Sequence, residues 1–134
     1  SLDVDQRVDR ALEAVGMRSI KDRISHHLSQ GEKKRVAIAS VLAMEPEILI
    51  LDEPTAGLDP RSRREFIHLL AELSQTMLVA SHDMHMVAEL FPRMIIIDGG
   101  SIVADGATGV LMSDTKLLEA HGLEAPCGDY ALHT

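Results

Sequence analysis

Aromatic side chains are scarce in this sequence: two Phe, one Tyr and no Trp among 134 residues. Stacking platforms for unpaired bases are therefore poorly supplied. Positive charge is also in deficit. Thirteen Lys and Arg stand against 21 Asp and Glu, a formal net charge of −8, which disfavours a face that tracks a nucleic-acid backbone. The single cysteine, Cys127, excludes an intrachain disulfide framework and fits a reducing compartment. Long hydrophobic runs are missing too. The longest strongly apolar stretch, residues 36–44, is far short of the ~20 residues that span a membrane. What is present is globular composition, 46% hydrophobic and 25% charged, at a length that suits one ordinary domain or part of a larger one.

Periodicity organises the chain. Val4, Val8, Leu12 and Val15 recur at helical spacing, so a helix is expected over 4–15, with Gly16 as its C-terminal stop. After a polar connection over 18–27, a second helix is expected from near Ser29 to about 44, with Val36, Ala39 or Ser40, and Ala43 as its buried stripe; Pro46 prevents it from continuing far. The run Ile48-Leu49-Ile50-Leu51 reads as a strand buried on both faces. A helix after Asp59-Pro60 carries Phe66, Leu69, Leu70 and Leu73 on one face, and 77–80 is a further short strand. A short helix over 84–90 follows. Strands over 94–97 and 102–104 join through Asp98-Gly99-Gly100-Ser101, a strong hairpin turn. Residues 114–120 look helical, and loop is expected beyond Gly122. Strands alternating with helices point to an α/β fold with a largely parallel sheet. Few strands are visible for a doubly wound sheet.

Four motifs carry chemistry. In Leu28-Ser29-Gln30-Gly31-Glu32, Ser29 and Glu32 have capping-box spacing, a purely structural role. The same turn, with a hydroxyl, a glycine and the positive end of a helix, also suits a phosphate. Asp52-Glu53-Pro54 ends the first strand with two adjacent carboxylates. These repel each other and cost desolvation, so a structural reason for both is hard to find. Adjacent residues leave a strand end in different directions; one can serve a Mg2+ shell while the other orients water. Ala56-Gly57-Leu58-Asp59-Pro60 reads alone as an N-cap with Pro at the first helical position. Ser81-His82-Asp83 follows the second strand, and an imidazole there can donate to a phosphate oxygen. His82 is one of seven histidines, most of which are expected to do no chemistry.

The order of these motifs, LSQGE, strand-DE, AGLDP and SHD, resembles the ATP-binding-cassette (ABC) ATPases over essentially the whole chain. The finer wording is similar to the energy-coupling ATPases of cobalt, nickel and related micronutrient importers. The likeness lies in RVDRALEAVGM, RVAIASVLAMEPEILILDEPTAGLDP and IVADGATGVLMSDTKLLEAHGL. The resemblance implies a partial P-loop NTPase fold, with part of the helical subdomain over about 1–44 and part of the ATPase core, its C-terminal hairpin and a tail over about 45–134. It makes Leu28, Ser29, Gln30, Gly31 and Glu32 the signature motif, Asp52 the Walker B aspartate and Glu53 the catalytic glutamate. Asp59 becomes the D-loop aspartate and His82 the switch histidine. Two positions depart from the commonest signature: Gln30 stands where Gly is usual and Glu32 where Gln is usual.

The family also needs a P-loop, and this chain has none. Its four lysines, Lys21, Lys33, Lys34 and Lys116, each follow a residue other than glycine, so G-x-x-x-x-G-K-[ST] is not formed. The expectation is therefore a C-terminal portion of a nucleotide-binding domain, inactive on its own and exposing a sheet flank that favours self-association. The resemblance further implies ATP and Mg2+ as ligands, a second ABC ATPase subunit as partner in a homo- or heterodimer, and an integral membrane transporter subunit. The site of action would be the cytoplasmic face of the cell membrane. Two rivals stand beside this: an ABC ATPase of DNA repair or translation, disfavoured by the −8 charge, and a non-catalytic ABC-like dimerisation module.

Overall fold

The computed structural model describes residues 3–21 and 28–126. The chain divides into two compact units, with the boundary between Ala80 and Ser81. The first holds helix α1 (Val4–Ala14), a 3-10 turn (Arg18–Ile20), helix α2 (Gln30–Leu42), strand β1 (Ile48–Asp52), helix α3 (Pro60–Glu72) and strand β2 (Thr76–Ala80). The second holds helix α4 (Met84–Leu90), strands β3 (Arg93–Asp98) and β4 (Ser101–Ala107), and helices α5 (Thr108–Ser113) and α6 (Thr115–Ala120).

In the first unit Asp3 caps α1 in a reciprocal box with Gln6, and the helix stops before Gly16, which takes φ +68°. Only glycine adopts that conformation without steric cost. Helix α2 begins where the sequence places it, with Ser29 as N-cap. Its buried stripe differs from the expectation. Gly31, Ile38, Ala39 and Leu42 are buried, whereas Ser40 is exposed and Val36 and Ala43 are half-buried. The helix packs on α1 and α3, and that double contact turns the Ile38 and Leu42 side inward. Ser40 instead donates its hydroxyl to the Val36 carbonyl at 2.9 Å.

Strands β1 and β2 pair in parallel, from Ile48 opposite Thr76 to Asp52 opposite Ala80, with α3 as the crossover. Leu49 is 2% exposed, but Ile48, Ile50 and Leu78 are 60, 72 and 61% exposed. Burial on both faces of β1, expected from its unbroken apolar run, is thus not found. The run is built for two covering layers, and in this chain one face stays open.

In the second unit β3 and β4 form an antiparallel hairpin with a bulge between Ile96 and Ile97. Gly99 and Gly100 both take positive φ, +55° and +77°, as a two-residue turn of this hand requires. Met84, Val87, Met94, Ile96 and Leu118 form its core, with Leu111 and Leu117 packed alongside. Helix α5 was not anticipated from the sequence; its N-cap, Ala107, makes no side-chain capping bond. The residues after Gly122 carry no regular structure as far as Pro126, and Cys127 lies outside the described residues. Among the described residues no helix is long and apolar enough to cross a membrane.

Candidate functional site

Two helix N-termini of the first unit meet around one shallow cavity of about 200 Å³, lined by Ser29, Gly31, Glu32, Arg35, Ser62 and Glu65 among others. On the α2 side, buried Leu28 anchors the approach. The Ser29 Oγ accepts the Glu32 N–H at 3.2 Å, and the Glu32 carboxylate accepts the Ser29 N–H at 2.8 Å. The capping reading of this motif is therefore realised in full. It leaves the phosphate reading intact, because capping uses a lone pair of the hydroxyl and not its proton. The N–H groups of Gln30 and Gly31, in the first turn, have no intrahelical acceptor and point out of the helix end. Gln30 is exposed and Gly31 is buried. The Glu32 acid is turned back onto its own backbone.

On the α3 side, Asp59 is the N-cap. Its Oδ1 accepts the N–H groups of Arg61 and Ser62 at 3.0 and 3.1 Å, and its Oδ2 accepts the Ser62 hydroxyl at 2.6 Å. The Ser62 hydroxyl, foremost, and then these amides hold the Asp59 carboxyl below its ordinary value. Gly31 faces Ser62 closely: a Cβ on Gly31 would lie 3.4 Å from the Ser62 Cβ. Behind this contact Arg35 Nη2 donates to Glu65 at 3.1 Å, and Arg61 Nε donates to the same carboxylate at 3.0 Å. The sequence gives Ser62 and Glu65 no role, and Arg35 only that of offsetting, with Lys33 and Lys34, the Glu32 charge. Ser62 could have been suspected from its position in the first turn after Asp59, whereas the Arg35–Glu65 pair joins two helices and leaves no local signal.

Asp52 closes β1 and is exposed; Glu53 follows, half-buried. The Glu53 N–H donates to the Ala80 carbonyl at 2.8 Å, which carries the parallel ladder one step past the strand. Glu53 itself stands at φ +43°, a left-handed conformation uncommon for a non-glycine residue and found where surrounding structure dictates it. The chain then turns through buried Pro54 and Thr55, and the Ala56 N–H donates to the Glu53 carbonyl. Among the described residues no group of three His, Cys, Asp or Glu could hold a metal ion. Asp52 is an exposed carboxylate at the strand end, an oxygen donor of the kind Mg2+ takes. The remainder of such a shell would come from phosphate oxygens and water, as is usual for this ion.

His82 belongs to the second unit. It is exposed in the short link before α4. Its neighbours shape that link: Asp83 caps α4 by accepting the Met86 N–H at 3.1 Å, and the Asp83 N–H donates to Ser81 Oγ at 3.1 Å. The structure thus brings Ser29, Gly31 and Glu32 of the signature to one cavity with Ser62, the residue bonded to Asp59, and sets Asp52 and Glu53 at the end of β1.

A parallel β-α-β unit with paired carboxylates at the C-terminal end of its first strand places the first unit in the α/β class, whose ligands meet the carboxyl ends of the strands. By sequence and fold the chain belongs to the ABC transporter ATP-binding proteins. The ABC transporter family model matches residues 3–56. An ABC transporter ATP-binding protein of Gloeobacter violaceus is 60% identical over 121 residues, covering 89% of this chain and 50% of that protein. The energy-coupling factor transporter ATP-binding protein EcfA of Methanothermobacter thermautotrophicus is 42% identical over 127 residues, covering 92% of this chain and 41% of that protein. Among solved structures, cbiO1 of Clostridium perfringens, part of the ABC transporter complex cbiONQ, superposes with a TM-score of 0.76 at 39% identity. That match covers 90% of this chain and 51% of cbiO1. The chain thus spans about half the length of the relatives it matches.

Proposed function

We propose that this chain supplies the signature half of an ATP-hydrolysing subunit of an ABC importer, with a cobalt, nickel or related micronutrient as cargo. The observation that carries the reading is the meeting of Ser29 and Gly31 with Ser62 around one cavity, Ser62 being bonded in turn to Asp59. Cap hydroxyl and outward amides are the donors a phosphate clamp needs, and the fixed Asp59 carboxylate is available to reach across to a second subunit. The likeness to EcfA and cbiO1 supports the importer; the micronutrient cargo rests on the wording of the sequence motifs.

In this reading ATP is held by the P-loop of one subunit, a segment outside these residues, and by the Ser29–Gly31 turn of the other. The Ser29 hydroxyl and the Gln30 and Gly31 amides donate to γ-phosphate oxygens. Glu53 accepts a proton from the attacking water as its oxygen bonds to the γ-phosphorus and the bond to the β–γ bridging oxygen breaks, releasing ADP. His82 donates to the γ-phosphate, and Asp59 links the two sites across the dimer. Asp52 would hold Mg2+ through water, and the ion would supply positive charge against the developing phosphate charge. Catalysis here is positioning and electrostatics rather than covalent chemistry. The dimer partner is an identical or paralogous ATPase, and closure drives an integral membrane subunit from the cytoplasmic face of the membrane.

Phosphate release tests this. The protein of the full reading frame should hydrolyse ATP, and Glu53→Gln should slow it by roughly a hundredfold or more, the scale of losing a general base. The 134-residue chain alone should release none. Undiminished turnover in Glu53→Gln would overturn the proposal.

A further inference from the structure

We propose that Ser62, outside every motif of the ATP site, is a positioning residue that sets the signature turn and the Asp59 carboxylate relative to each other. The inference rests on the ATPase reading and adds a residue to it. Ser62 touches both halves of the cavity at once. Its hydroxyl donates to Asp59 Oδ2 at 2.6 Å and its N–H to Asp59 Oδ1 at 3.1 Å. On its other side stands Gly31, where an added Cβ would lie in ordinary van der Waals contact, 3.4 Å from Ser62 Cβ and 3.5 Å from Ser62 Oγ. Ser62 is therefore the residue through which the signature turn and Asp59 are in touch.

Two further contacts hold that spacing. Arg35, on the stripe of α2 that also carries Gly31, bonds Glu65 one turn beyond Ser62, and Arg35 Nη1 donates to the Val15 carbonyl at 3.4 Å. The α2 and α3 N-termini are thus pinned at one separation, with Ser62 at the point of contact. Short, charge-assisted bonds of this kind fix a carboxylate's rotamer more firmly than neutral ones. A phosphate clamp depends on such placement, since a misplacement of about 1 Å can cost a hundredfold in rate. Ser62 does not itself touch nucleotide in this scheme; it acts through Asp59 and the Gly31 backbone.

Kinetics of the full-reading-frame protein test the assignment. Ser62→Ala should lower kcat by roughly tenfold or more, with KM for ATP within about twofold because another segment binds ATP. Ser62→Thr, which keeps the hydroxyl, should recover most of the rate. In the Asp59→Ala background, Ser62→Ala should add little, since its partner is already gone. In the 134-residue chain, carbon-detected NMR should show the Asp59 carboxyl titrating at higher pH in Ser62→Ala than in wild type, whether or not the variant turns over. Wild-type kcat in Ser62→Ala, a loss that adds fully to that of Asp59→Ala, or an unmoved Asp59 titration would overturn the proposal. Glu53→Gln, run in parallel, separates the cases. Inactive Glu53→Gln beside fully active Ser62→Ala leaves the ATPase reading standing without this addition; active Glu53→Gln removes both.

Discussion

At the scale of single residues, Glu53 carries the sharpest tension between stability and function. A left-handed conformation costs a non-glycine residue about 1 kcal/mol, and Glu53 holds it at φ +43°. Asn tolerates that region better. Glu53→Asn should raise the stability of the 134-residue chain by up to about 1 kcal/mol in urea titration, while hydrolysis by the full protein is lost. A drop in stability would show that the Glu53 side chain contributes more through its contacts than its backbone forfeits. Two carboxylates of the second unit give the pH dependence. The His121 imidazole 2.8 Å from Asp98, and the bidentate Arg93 guanidinium on Asp105, hold both acids below their ordinary 3.8. A depressed folded value means stability present above pH 3.8 and lost as pH falls through the folded value. Acid titration of the hairpin, followed by circular dichroism, should therefore show a loss below pH 4 that Asp105→Asn makes shallower.

At the scale of elements, local signals were readable and contacts between elements were not. The α2 capping box, the Asp59-Pro60 start of α3 and the Gly99-Gly100 turn are each written within a few residues, and the structure has all three. Helix α5 has no such mark, because Ala107 contributes no capping side chain. Its Thr108 is buried with a hydroxyl that finds no partner among the described residues. Thr108→Val keeps the shape and removes that polar atom, so it should leave stability unchanged or raise it by about 1 kcal/mol. Leu118, wholly buried in the second core, should instead lose about 2–5 kcal/mol as Leu118→Ala. Both are read from the thermal midpoint. The α2 stripe is legible at Ala39 but not at Ile38 and Leu42, because periodicity identifies a face only when the neighbours are known, and here α1 and α3 decide it. The Gly31–Ser62 approach and the Arg35–Glu65 bond join residues far apart in sequence and have no local signature.

At the scale of the whole molecule, the open apolar face of β1 and β2 stands out. Ile48, Ile50 and Leu78 present adjoining side chains, all more than half exposed, on a two-stranded parallel sheet, an architecture normally covered on both faces. The run Ile48–Leu51 was read as doubly buried from its composition, and that composition describes a covered strand rather than the surface found here. The 134-residue chain should therefore self-associate. Light scattering should give a mass above the monomer, and Ile50→Lys with Leu78→Thr should reduce it. A monodisperse monomer of the unaltered chain would contradict the expectation.

The central claim, that the Ser29–Gly31 turn closes on a nucleotide held by another chain, is tested most directly by a crystal structure. The full-reading-frame protein would be crystallised with Mg2+ and a non-hydrolysable ATP analogue. Ser29 Oγ and the Gly31 amide of one subunit should lie about 2.7–3.1 Å from γ-phosphate oxygens bound to its neighbour, with Glu53 beside the attacking water. A nucleotide fully bound while the Ser29 turn remains in solvent would contradict it.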